Sequence, residues 1–196
     1  MRTLLRGQWR PALVGTLVLL IITGFAYPGV VTGVARALFP EQAEGSLVRV
    51  NGRVVGSALI GQKFTSPWYF HSRPSATDFN AAATVGSNRG PTDAKLADTM
   101  IVAAVAEAAQ LDAVPTGEVA ADRATMSASG IDPHISPLNA QQQLARVAAA
   151  RGQSVDAVRA ILDAHTEGRT FGILGERRVN VLLLNIALDS AFGPQK

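Results

Sequence analysis

The apolar positions of this chain follow two different patterns. From Pro11 to Ala35, "PALVGTLVLLIITGFAYPGVVTGVA" holds no charged residue and shows no polar stripe. About 20 predominantly apolar residues in a helix cross a bilayer core. The run therefore reads as a transmembrane helix, cleanest from Pro11 to Tyr27 because Pro28 and Gly29 interrupt its far end. Trp9 and Tyr27 suit the interfacial belts at its two ends. A cleaved signal peptide is the rival reading, but the run is long for one and "FAYPG" lacks the small-residue cleavage pattern.

Beyond residue 36 the apolar positions become periodic. "SLVRVNGRVVGSALIGQ" reads as a β-hairpin turning at Asn51-Gly52, with Val48, Val50, Val54 and Ala58 to Ile60 supplying strand character. "FTSPWYFHSRPSATDFN" reads as an irregular, extended segment folded over that hairpin. "TVGSNRGPTDAKL" is a glycine-rich loop entering a helix, with Pro91 in its first turn. Leu96, Met100, Ala103, Ala104, Ala108 and Leu111 then recur at helical spacing until Pro115 and Gly117. Ser136-Pro137 has N-cap and N1 chemistry. The helix after it carries Ala140, Leu144, Val147 and Ala148 on one face, with Gln143 at the border. Gly152 ends it and Ser154 caps another, striped by Val155, Val158, Ile161, Leu162 and His165. "VNVLLLNIALDS" is apolar nearly all round and too short to span a bilayer, so it reads as a buried helix. The expected architecture is α/β, with a tail (1–10), a single N-terminal transmembrane helix (11–34) and one mixed, helix-rich extracytoplasmic domain with a β-hairpin (35–196).

Charge changes the picture in two ways. The pI of 9.8 suggests a nucleic-acid partner, but Arg2, Arg6, Arg10 and Arg36 supply the first 36 residues' only charges. Of the 18 basic residues the other 14 face all 15 acidic ones, so the globular part is near neutral and lacks the basic face that nucleic acid requires. The three arginines before the apolar run, against Arg36, Glu41 and Glu44 after it, place the N-terminus in the cytoplasm by the positive-inside rule. The bulk of the chain is then expected outside, on the periplasmic face of a bacterial inner membrane.

The candidate chemistry is sparse. There is no cysteine, and His71, His134 and His165 match no zinc spacing. "MSASGIDPHISP" gathers Ser127, Ser129, Asp132 and His134, the residue types of a serine hydrolase. A nucleophile elbow, however, reads G-x-S-x-G, and here the leading glycine is missing. Gly130, Asp132-Pro133 and Ser136-Pro137 explain the stretch better as a turn leading into a helix. "TVGSN" resembles a potassium-filter loop, but a filter needs four such loops between membrane helices. No Walker A or dinucleotide fingerprint is present. His71 and Arg73 in "YFHSRPSA" either grip a partner or cover the hairpin, and His165 reads as a hydrogen-bonded core histidine.

Eight segments, taken in order, carry a resemblance: "YPGVVTG", "LFPEQAEGSLV", "GSALIGQKFTSPWYFHSRPSA", "GSNRGPT", "SASGIDPHISP", "RVAAARG", "HTEGR" and "GERRVNVLLLNIALD". Over almost its whole length the chain resembles the C subunit family of the bacterial Kdp potassium-transporting ATPase. The resemblance implies an accessory, non-catalytic subunit of a four-part inner-membrane pump. Its companions would be a channel-like potassium-translocating subunit, a P-type ATPase subunit and a very small membrane subunit. It implies a role in assembly and activity, described as that of a catalytic chaperone raising the ATPase subunit's affinity for ATP. It also implies ATP contacts at Gln143 and within Ser127 to Pro133, here Ser127, Ser129 and Gly130, with no cofactor of the chain's own. The charge bias puts the domain on the face opposite cytoplasmic ATP. A clamp on the outer side of the channel-like subunit is the more direct expectation, and the near-neutral charge gives no strong cation-attracting field. A membrane-anchored extracytoplasmic serine hydrolase is the alternative.

Overall fold

A computed structural model describes residues 7–195. Arg2, Arg6 and most of the expected tail lie outside the described residues. The chain divides into two compact units, with the break between Leu47 and Val48.

The first unit is dominated by one continuous helix, Trp9–Leu38, of 30 residues, whose most apolar 18-residue stretch has a mean hydropathy of 2.0. At ~1.5 Å per residue it is about 45 Å long, enough to cross a hydrocarbon core of about 30 Å with turns to spare. It comprises α1 (Trp9–Ile21), a π-helical stretch (Ile22–Ala26) and α2 (Tyr27–Leu38). The helix therefore does not stop at Tyr27. Proline lacks an N–H and clashes with the carbonyl four residues back. The wider π turn just before Pro28 absorbs this: the Tyr27 N–H bonds five residues back to Ile22 O, and the Thr23 hydroxyl donates to Leu19 O at 2.7 Å. A short helix, α3 (Pro40–Ala43), comes next.

The expected hairpin follows, β1 (Leu47–Val50) and β2 (Arg53–Ser57), all but its first residue in the second unit. Asn51 and Gly52 both have positive φ, +51° and +78°, as a twist-matched two-residue turn requires. Pairing ends at Ser57. Ala58 to Ile60 are turn rather than strand, because the Asn180 side-chain amide donates to Ala58 O at 2.8 Å and draws the chain away. Pro91 also differs from expectation: it sits in a turn ahead of the helix. Asp93 takes the capping role instead, its Oδ1 accepting from Leu96 N at 3.2 Å. A π-helical stretch (Lys95–Ile101) then runs into α4 (Val102–Asp112), and α5 (Ala121–Ala124) lies beyond a short 3₁₀ turn.

Three antiparallel strands that periodicity does not reveal come next: β3 (His134–Ile135), β4 (Thr166–Glu167) and β5 (Arg178–Asn180), in the order β3-β5-β4. They pair Ile135 with Val179 and Thr166 with Val179. At two or three residues each they are too short for an alternating signature. The helices agree closely with the sequence. In α6 (Pro137–Arg151), the Ser136 hydroxyl accepts from Asn139 N at 3.1 Å. In α7 (Val155–Ala164), the Ser154 hydroxyl accepts from Ala157 N at 3.2 Å. In α8 (Val181–Phe192), Asn180 caps through Leu183 N at 3.2 Å. The first two residues of "VNVLLLNIALDS" thus belong to β5. Leu144, Val147, Val158, Leu162, Val179, Leu184 and Leu188 form the core, and Phe70 lies among them. Phe70 is one of the aromatics expected merely to cover the hairpin. Its segment instead runs from the surface into the core.

One close approach ties the hairpin's exit to the turn before β3. Gly61 N donates to Ile131 O at 2.7 Å, and a side chain there would strike the Asp132 carbonyl. Gly61→Ala is expected to destabilise the domain by about 1–3 kcal/mol, as overpacking against unyielding backbone does. Thermal unfolding of the detergent-solubilised chain measures it, and an unchanged midpoint would contradict this contact.

Candidate functional site

The polar centre of the second unit is built around five residues, Pro67 to His71. They belong to no strand, so helix side chains must satisfy their backbone groups. Arg146 Nη1 donates to Pro67 O at 2.6 Å and Tyr69 O at 3.0 Å. Arg151 Nε donates to Trp68 O at 2.7 Å. Asn185 accepts from Phe70 N and donates to Phe70 O, both at 2.9 Å. Gln143 accepts from His71 N at 2.7 Å and donates to His71 O at 3.2 Å. Two amide side chains thus imitate the edge of a neighbouring strand, and two arginines supply the remaining donors.

The arginines are themselves anchored. Asp112, almost wholly buried, accepts from Arg146 Nε at 2.7 Å and Arg123 Nε at 3.2 Å. Arg151 has no exposed side-chain surface. It pairs with Asp189 at 2.8 Å and stacks 5.2 Å from the Tyr69 ring centre, whose hydroxyl donates to Asp189 at 2.7 Å. Removing one partner from such a buried pair leaves an uncompensated charge, so the network holds together or fails together.

Gln143 does not stand at a helix border open to ligand. It is fully buried. Its oxygen also accepts from Arg146 Nη2 at 2.7 Å, and its nitrogen donates to Asn139 Oδ1 at 2.8 Å. All four hydrogen-bonding positions of the amide are filled. No donor or acceptor is left for an adenine, so the residue does not fit a nucleotide contact.

Ser127, Ser129 and Gly130 lie together, apart from Gln143's partners. The two serine hydroxyls are 3.0 Å apart. The Ser127 oxygen accepts from Gly130 N at 3.1 Å, and the Ser129 oxygen from Ile131 N at 3.2 Å. Gly130 has φ +75°. Asp132 turns to Arg73 Nη1 at 3.1 Å and accepts from His134 N at 3.0 Å. No hydrogen bond links either serine to His134. The stretch is a turn whose serine hydroxyls bond its own backbone, with Ala128 and Ser129 exposed on a shallow cavity of about 470 Å³. Arg73 pins this turn, reaching Met126 O at 3.3 Å. The even choice for His71 and Arg73 falls on the structural side. His165 also bonds inside the fold, its Nδ1 2.9 Å from Ile161 O.

His71 is the buried group most sensitive to pH. Burial first, and then the nearby Arg146 charge, push its pKa down to about 4. Its Nε2 lies 3.0 Å from Ser66 O, and a carbonyl only accepts, so the neutral ring carries its proton on Nε2. Asp132 moves in a separate window. Burial opposes its ionisation, but His134 and Arg73 hold its pKa down at about 2.

Sequence reasoning missed Arg146, Arg151, Asn185 and Asp112. A signal existed for two of them. Asn139, Gln143 and Arg146 form a polar i, i+4, i+7 stripe beside the apolar one, and Asn185 interrupts an otherwise apolar helix.

The class defined by these features is a small helix-rich α/β domain behind one long apolar helix, its polar centre spent on internal support. The family described as K+-transporting ATPase, c chain, matches residues 9–190. The potassium-transporting ATPase KdpC subunit of Gemmatimonas aurantiaca is 53% identical over 184 residues, covering 92% of each chain. That of Sorangium cellulosum is 54% identical over 185 residues, covering 93% of this chain and 97% of its own. That of Myxococcus xanthus is 54% identical over 183 residues, covering 90% and 85%. The chain belongs to the KdpC family, the C subunits of the potassium-transporting ATPase.

The site makes two outcomes measurable. Gln143→Ala strands the backbone of His71 and is expected to cost about 2–4 kcal/mol, since each unmet buried group costs about 1–3; denaturant unfolding reads this directly. His71 stays neutral when folded, whereas its unfolded counterpart protonates below about pH 6.5. Stability should therefore fall as pH drops from 6.5 towards 4, by up to ~1.4 kcal/mol per pH unit. His71→Gln should flatten the profile in that window; an equally steep slope in the variant would contradict the assignment.

Proposed function

We propose that this chain serves the pump as a non-catalytic accessory subunit, anchored in the inner membrane by its long apolar helix, with the α/β domain outside the cytoplasm clamping the assembly. The observation that carries this reading is the saturated polar centre. The residues with chemistry to offer, Gln143, Arg146, Arg151, Asp112 and Asn185, are consumed in holding Pro67 to His71. A domain that spends its buried polar groups this way is built to keep its surface rigid. Rigid surfaces suit docking, because little ordering cost remains at assembly.

Other observations support the arrangement. Arginines precede the uncharged run from Pro11 to Ala35, and mixed charges come after it. By resemblance, the companions are the channel-like potassium-translocating subunit, the P-type ATPase subunit and the very small membrane subunit. In this reading Gln143 acts on ATP turnover only through the fold, and Ser127, Ser129 and Gly130 shape a turn. The hydrolase alternative is disfavoured by the serines bonding each other rather than His134.

Sidedness tests the reading. Protease added to intact spheroplasts should digest the chain beyond residue 36 and spare the cytoplasmic tail; protection of the domain until the cells are lysed would overturn it. Gln143→Ala should lower the yield of assembled pump severalfold, while the pump that does assemble keeps its Michaelis constant for ATP. Normal assembly with a raised constant would instead favour direct ATP contact.

A further inference from the structure

The strands β4 and β5 are joined by a loop, residues 168–177, whose tip is closed and apolar. Thr170 and Leu174 exchange both backbone hydrogen bonds at 2.9 Å, and Gly172 N donates to Arg169 O at 3.0 Å. The Arg169–Glu176 pair at 2.8 Å locks the base of the tip, and Arg178–Glu167, also at 2.8 Å, locks the strands. Against this fixed frame Phe171 is 88% exposed, Ile173 75% and Leu174 57%. Single exposed apolar residues need no explanation, but three large ones gathered on a braced tip do. At the foot of the loop lies an open groove of about 640 Å³, lined by His134, Leu138, Arg177 and Arg178 among others. Leu138 is itself 54% exposed. Arg177 enters no ion pair among the described residues.

We propose that this tip is a docking finger that inserts Phe171, Ile173 and Leu174 into an apolar pocket on a companion protein subunit of the same pump, beside a carboxylate that receives Arg177. The inference rests on the accessory-subunit reading. Two observations select this occupant. Three such side chains offer roughly 400 Å², given 150–250 Å² for an aromatic alone, about half of the ~800 Å² per partner that a stable free-standing complex buries. A contact this small is useful to a partner already held close by other means, where effective concentration replaces area; a second copy or a free soluble protein lacks that advantage. An apolar centre ringed by Arg169, Glu176, Arg177 and Arg178 also has the core-and-rim anatomy of a protein interface. Anionic lipid would also attract Arg169, Arg177 and Arg178, and crosslinking separates that contact from a protein one.

The test uses the whole pump, co-expressed and purified through another subunit, with a benzophenone amino acid replacing Phe171. Irradiation should yield an adduct between this chain and a companion protein subunit. Arg177→Glu should lower the adduct yield at least fivefold without changing the amount of chain that co-purifies, and Arg177→Lys should retain most of it. Adducts to lipid alone, or none to protein in an intact complex, would overturn the docking finger and leave the accessory-subunit reading standing. A chain that co-purifies with no other subunit would overturn both.

Discussion

The domain depends on one segment that cannot support itself. Pro67 to His71 runs inward from the surface of the second unit without a neighbouring strand, and Phe70 sits fully buried in the core. Backbone groups placed there need partners, or each costs as much as a lost hydrogen bond. The solution is a set of long polar side chains from α6 and α8. Gln143 and Asn185 each offer a donor and an acceptor in the geometry of a strand edge, and Arg146 and Arg151 donate to the carbonyls between. The rest of the fold is arranged to keep those side chains in place. Asp112 on α4 orients Arg146 and Arg123, Asp189 on α8 orients Arg151, and Asn139 closes the last position of Gln143.

This arrangement bears on how a residue's importance is read. The family resemblance implies a direct contact between Gln143 and ATP. In this domain the same residue is the support on which a buried segment rests. Its effects on neighbours would then travel through the fold and not through a contact. Coupling of that kind needs an element whose arrangement both sites sense. A rigid internal lattice with a few projecting features provides the stiffness such an element must lean on.

The first unit solves a different problem. A proline sits within an apolar helix that is nonetheless long enough to cross a bilayer. The π-helical stretch from Ile22 to Ala26 absorbs the missing N–H and its steric clash, so the helix continues to Leu38. The chain belongs to a family of potassium-transporting ATPase subunits, and this helix has the length and composition to cross a membrane. The near balance of charge after residue 36 leaves shape and apolar contact, more than a long-range field, to govern how the domain meets its surroundings.

Much of this was legible from the chain alone, and all of it was local. The uncharged run, the Asn51-Gly52 turn, the Ser136-Pro137 and Ser154 starts, the Gly152 stop, the apolar stripes of α6 and α7 and the all-round apolar character of α8 each depend on residues within a few positions of one another. Local steric and hydrogen-bonding preferences decide them wherever the segment sits. The quoted family segments were legible for the same reason, as words in a fixed order. Only the tertiary structure could decide what Gln143, Asn185, Arg151 and Phe70 do. Gln143 meets a partner 72 residues away and Asn185 one 115 residues away. Such bonds depend on which backbone happens to cross a helix face, and no local period encodes that crossing. The two- and three-residue strands β3, β4 and β5 escaped for a related reason. Each is too short to carry a pattern of its own, and each exists only because another is beside it.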